Sequence, residues 1–145
     1  MGIVKDLTVG QTLKVYEDGT AVEFIVAQHD YEKDLNGKGK ALLMRAGLLA
    51  DTVRWGSSSS TGQSYANSSE PRSWLSNTYA KRLSQDVLDV IKPVTIRYKA
   101  GDSNGYSSLA DQRFFIPMVD DFGGNSDVCK FLAEHKVDYA DSRAT

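Results

Sequence analysis

Cysteine is almost missing from the chain. Cys129 stands alone, so no disulfide forms within the protein and no cysteine-based zinc site is built. Proline is scarce too, with three in 145 residues, so Pro71, Pro93 and Pro117 each read as local punctuation. Neither charge sign dominates. A net charge of −2, with Lys and Arg spread along the chain, gives no electrostatic reason to expect nucleic acid or an anionic membrane as partner. No run approaches the ~20 apolar residues of a membrane span. The opening MGIVKDLTVGQ lacks the apolar core of a signal peptide, and Asp6 stands where a myristoylation motif wants Ser or Thr.

Catalytic signatures are missing as well. There is no G-x-S-x-G, no S-x-x-K, no Walker loop and no GxGxxG; Gly37-Lys38-Gly39-Lys40 has neither the spacing nor the helix of a phosphate loop. His29 and His135 each have an acidic neighbour, Asp30 and Glu134, but lie far apart in sequence, and read as strand-end and helix-surface residues. Cys129 follows Val128 on an amphipathic pattern and reads as a small buried hydrophobe rather than a nucleophile. Asp30, Glu32, Asp34 and Asn36 alternate as calcium ligands would, but Leu35 replaces the glycine an EF-hand loop needs and no bidentate Glu follows. No metal, no cofactor and no enzymatic activity are expected.

What is present is an ordinary globular composition, 41% apolar and 25% charged, in a length that suits a single domain over 1–145. Residues 10–16 run into Asp18-Gly19, a type I′ hairpin signal, and Thr20 to Gln28 returns with Val22, Phe24 and Val26 on one face. Asn36-Gly37 and Gly39 supply turns, Ala41 to Met44 a short strand, and 47–53 a turn or short helix. Residues 56–69 form a Ser-rich loop bracketed by Trp55 and Tyr65, which suggests that both of its ends are pinned.

Ser69 is expected to cap a helix in which Glu70 and Pro71 suit the first turn, and Trp74, Leu75, Tyr79 and Leu83 pack inward. Ser84 caps a second helix that Pro93 stops. Residues 94–98 alternate as a strand, 101–108 read as a loop, 113–116 as another strand, 120–124 as a turn and 125–135 as a last helix. The tail, 137–145, reads as loose. The expected fold class is α+β: an N-terminal β-hairpin and short strands packed with two or three short helices.

The ordered set Val22 to Glu32, Leu35-Asn36-Gly37, Ala41 to Arg45, Trp55, Tyr65, Ser69-x-x-Arg72-x-Trp74-Leu75-x-x-x-Tyr79, Phe114 to Pro117 and Asp120 to Gly123 resembles an uncharacterised domain family. That family occurs in clostridial surface proteins and in prophage and phage genes, and the likeness covers about residues 8–125. The family is similar in layout to C-type-lectin-like folds; its usual second half, with a Trp–Leu/Thr–Arg–Ser–Pro segment, is not found here, so the fold is expected to be a partial one.

The resemblance implies a non-enzymatic phage or prophage structural or host-recognition protein, assembled into virions in the host cytoplasm. Its partners would be other virion or surface proteins, including copies of itself. The alternative is a bacterial cell-surface module for a glycan or a peptide. For that, Trp55, Tyr65 and Tyr106 are candidate ligand-binding rings, either stacking on a sugar face or anchoring core and loop. Ser69, Arg72, Trp74, Leu75 and Tyr79 read as the structural motif, with Arg72 tying down the Ser-rich loop.

Overall fold

The structure, a computed structural model, describes residues 3–54, 65, 69–99 and 106–116. These form an α+β fold with two antiparallel sheets and short helices. The Ser-rich loop, Trp55, the 120–124 turn, the 125–135 helix with Cys129 and His135, and the tail all lie outside the described residues. Among the described residues no helix is long and apolar enough to cross a membrane.

The chain divides into two compact units. The first contains, among described residues, 3–15 and 21–47 with Ile116. After one helical turn (α1, Ile3–Asp6) come β1 (Thr12–Glu17), β2 (Thr20–Gln28) and β3 (Leu42–Arg45), in sheet order β1-β2-β3. β2 pairs antiparallel with β3, Phe24 opposite Arg45 and Val26 opposite Leu43, until the register slips between Val26 and Gln28.

That bulge changes the burial pattern of β2. The alternation that puts Val22, Phe24 and Val26 on one face holds over the outer part of the strand. Then Ile25, Val26 and Ala27 are all buried in succession, with Val26 fully so. The turn that follows uses positive φ at Asp30 and Glu32 as well as at Gly37 and Gly39. Asp30 Oδ1 accepts from the Gly39 N–H at 2.7 Å, so this acidic side chain closes a loop. One helical turn, α2 (Lys33–Asn36), occupies the middle of this loop. His29 Nε2 lies 2.6 Å from the Leu7 carbonyl oxygen, a contact that fits a protonated Nε2 donating to it.

The second unit contains, among described residues, the hairpin tip, 16–20, and residues 48–54, 65, 69–99 and 106–115. Asp18 (φ 48) and Gly19 (φ 80) both take the left-handed conformation that a type I′ turn requires. Residues 48–54, where a turn or short helix was expected, are irregular and form no helix. Ser69 is already helical instead of being the cap, in α3 (Ser69–Trp74). The helix then widens into a π turn, Leu75–Tyr79, where Ala80 N–H donates to Leu75 O, and tightens into a 3₁₀ turn, Ala80–Arg82.

The extra residue in the π turn alters the inward face. Of the four residues expected to pack inward, Tyr79 (5% exposed) and Leu83 are buried, whereas Trp74 and Leu75 are only half-buried. Ser84 caps α4 (Gln85–Val90), its Oγ accepting from Val87 N–H at 3.4 Å. β4 (Val94–Lys99) pairs antiparallel with β5 (Tyr106–Gln112). β5 takes in 106–108, the end of the 101–108 stretch expected to be loop, and 113–116, expected as a strand, carries no ladder. Ile96, at 2% exposed, is the most buried side chain of this sheet's described residues.

Candidate functional site

Two adjoining depressions in the second unit share Ser76, Asp111, Arg113 and Phe114 and form one groove. The larger, about 330 Å³, adds Ala80, Lys81 and Leu88. The smaller, about 190 Å³, adds Arg72, Ser73, Asn77 and Gln112. One wall is therefore the helical run from α3 through the π turn. The other is the end of β5 and the residues after it.

Both walls are irregular where they meet the groove. On the helix side the π turn contributes Ser76 and Asn77. On the strand side the ladder shifts between Val94 and Ile96: Ile96 faces Leu109, but Val94 faces Gln112, so β5 carries one residue more. Asp111 falls in this bulge with φ 58. A left-handed Asp costs about 1 kcal/mol relative to glycine, and the bulge re-aims the strand end.

Arg113 fixes the strand wall. Its Nε donates to Ile91 O at 3.2 Å and its Nη2 donates to Ile91 O at 2.9 Å and to Leu88 O. These carbonyls close the C-terminal end of α4, where the last turn of a helix lacks internal donors and a cation is favoured. One side chain thereby locks α4 to the end of β5.

The groove floor rests on an aromatic chain. Phe114 meets Tyr79 edge to face, with centroids 5.6 Å apart at 82°, and Tyr79 stacks on Trp74 at 6.2 Å and 26°. Arg82 lies over the Trp74 ring, 5.4 Å from its centroid. The same guanidinium grips Asp51, and the hydrogen bonds from Arg82 hold the Asp51 carboxyl below its usual value of 3.8. The Arg82 carbonyl accepts from Asp18 N–H at 2.8 Å, so the hairpin tip is tied to the same residue.

Of the aromatic residues singled out from sequence, Trp55 lies outside the described residues. Tyr65 is 8% exposed and belongs to the core of the second unit. Tyr106 opens β5 opposite Lys99. Of the structural motif, Arg72 lines the groove, and Trp74 and Tyr79 support its floor through Phe114. Sequence reading missed Ser76, Lys81, Asp111 and Arg113 as site residues. No short motif links them, since they come together only through the π turn, the bulge and the cap of α4. Among the described residues no group of three or more His, Cys, Asp or Glu converges as a metal site would.

The described residues define an α+β protein with an open groove of mixed polar and apolar lining. The chain belongs to the family described as Domain of unknown function (DUF6273), whose model matches residues 38–143. The match takes in the whole helical run and both strands of the second sheet, and leaves the N-terminal hairpin outside it. No curated protein and no solved structure matches the chain.

Proposed function

We propose that the chain is a non-enzymatic recognition or structural protein of a phage or prophage, carried on the virion and engaging its partner through the groove of the second unit. The observation that carries this reading is the convergence of two backbone irregularities, the π turn at Leu75–Tyr79 and the bulge at Asp111, on the same groove. Both kinds of irregularity are concentrated at functional sites, because each re-aims side chains at a cost in regularity. The strand wall of the groove is held in place by Arg113, whose Nε and Nη2 donate to the carbonyls of Leu88 and Ile91. The phage setting rests on the likeness of the Tyr65, Ser69-x-x-Arg72-x-Trp74-Leu75-x-x-x-Tyr79 pattern to the clostridial and prophage family.

A second reading, a bacterial cell-surface module for a glycan or a peptide, is favoured by the hydroxyl and amide groups of Ser73, Ser76, Asn77 and Gln112 along the groove. The two readings use one surface and differ in where the chain is displayed. Mass spectrometry of purified particles released after prophage induction of the encoding strain separates them. The chain is expected in the particles at a fixed ratio to other virion proteins. Recovery only with the cell wall selects the second reading, and recovery only in the cytosol overturns both.

A further inference from the structure

We infer that Asn36-Gly37 is a self-modification site, a deamidation site that helix α2 keeps latent while the 30–40 loop is closed. It lies in the first unit and stands apart from the recognition reading of the groove. In an Asn-Gly pair the glycine nitrogen, once it has given its proton to solvent, attacks Cγ of the asparagine side chain. The new N–C bond closes a succinimide ring and the Cγ–Nδ2 bond breaks, the nitrogen taking a proton and leaving as ammonia. Water then opens either ring carbonyl, which leaves aspartate or isoaspartate and a new negative charge. Glycine permits the attack because no Cβ stands in its path. Gly37 is exposed and a Cβ added there would meet nothing within 4 Å, so water reaches the bond.

The folded loop holds the reaction off. Asn36 is the last residue of α2, and Gly37 N–H donates back to Lys33 O at 2.8 Å, in the i to i−4 sense of a helix. That bond keeps the proton on the attacking nitrogen and directs it away from the Asn36 side chain. The side chain is held as well, its Nδ2 donating to Tyr31 O at 3.3 Å. Tyr31 N–H on Lys40 O at 2.9 Å and Gly39 N–H on Asp30 Oδ1 at 2.7 Å close the loop around them. The reaction therefore waits on an opening of this loop, and α2, which buries no side chain, belongs to the segments that open locally. Modification then prevents reclosure. A carboxylate at position 36 has no donor for Tyr31 O and extends the acidic run of Asp30, Glu32 and Asp34. Isoaspartate also lengthens the backbone within the helical turn.

The test incubates the full chain at mildly alkaline pH, folded and in urea, and follows deamidation by mass-spectrometric peptide mapping. Asn104-Gly105, which lies outside the described residues, is the reference for the same dipeptide in urea. There the two pairs are expected to react alike. In the folded chain Asn36 is expected to react at least about tenfold more slowly than in urea, as a bond that needs local opening does. Asp30→Gly suits the backbone at φ 52 and removes the acceptor for Gly39 N–H. It is expected to speed the folded reaction at Asn36 severalfold, with the amide spectrum outside 30–40 unchanged. The modified chain, separated by ion exchange, is expected to show faster amide exchange over 30–40 than the unmodified chain. Asn36 reacting as fast folded as in urea overturns the latch, a result that stands whether or not the variant folds. An unmodified Asn36 in urea, where Asn104 has reacted, overturns the site. Unchanged exchange over 30–40 in the modified chain overturns the loosening.

Discussion

The Arg82 guanidinium holds Asp51 by two parallel hydrogen bonds, Nη1 to Oδ2 at 2.8 Å and Nη2 to Oδ1 at 2.7 Å, across 31 positions of sequence. With its guanidinium carbon over the Trp74 ring and its carbonyl accepting from Asp18 N–H, this one residue joins the irregular 48–54 segment, the helical run and the hairpin tip. Replacing it removes all of the side-chain links together, whereas Asp51→Ala removes one. Arg82→Ala is therefore expected to lower Tm more than Asp51→Ala does, and Arg82→Lys to fall close to Arg82→Ala, because an ammonium cannot reproduce the paired bonds. Thermal unfolding of the three variants checks the order.

The same pair gives the chain an acid-side dependence. The Asp51 carboxyl is held below 3.8 in the folded protein by the Arg82 hydrogen bonds. Its contribution is thus complete above the unfolded value and is lost as pH falls through the folded value. Tm measured from pH 7 down to pH 2 is expected to drop more steeply for the wild type than for Asp51→Asn at the acid end, with parallel curves above about pH 5.

Tyr79 rather than Trp74 is the aromatic centre of the helical run. Buried between Trp74 and Phe114, it leaves a large void when truncated, and Tyr79→Ala is expected to cost about 3–5 kcal/mol in urea unfolding. Trp74→Ala, at a half-buried position, is expected to cost clearly less. The reverse order contradicts the placement.

Arg113→Ala leaves the carbonyls of Leu88 and Ile91 without their guanidinium donors. A loss of about 1 kcal/mol is expected, together with faster amide exchange in the last turn of α4. Unchanged exchange there contradicts the capping role.

Asp111 carries its backbone at φ 58, which favours glycine and penalises β-branched residues. Asp111→Gly is expected to keep or slightly raise stability, and Asp111→Val to lower it by about 1–3 kcal/mol. Equal effects from the two contradict the strain.

The hairpin, β4 and α4 were legible because their signals are local. Asp18-Gly19 demands positive φ, Val94 to Tyr98 alternates, and Ser84 and Pro93 bound a short amphipathic run. β5 was not, since its Gly-, Ser- and Asn-rich approach has loop composition and only pairing with β4 makes it a strand. The apolar Phe114-Phe115-Ile116 run misled in the opposite direction: the ladder ends at Gln112, and Arg113 turns to the carbonyls of α4 instead. The π turn has no local signature, and it decides that Tyr79 and Leu83 are buried while Trp74 and Leu75 stay half-exposed. The groove was hidden for the same reason. Arg72, Lys81 and Arg113 look scattered in a list of charges, and topology gathers them.

The central claim is that this groove is the recognition surface. The most direct test is a hydrogen-exchange footprint of the full chain with and without bacterial cell envelopes. Protection is expected to concentrate in peptides covering 72–81 and 111–114. Protection confined to the hairpin at 12–28, or no protection anywhere, would contradict it.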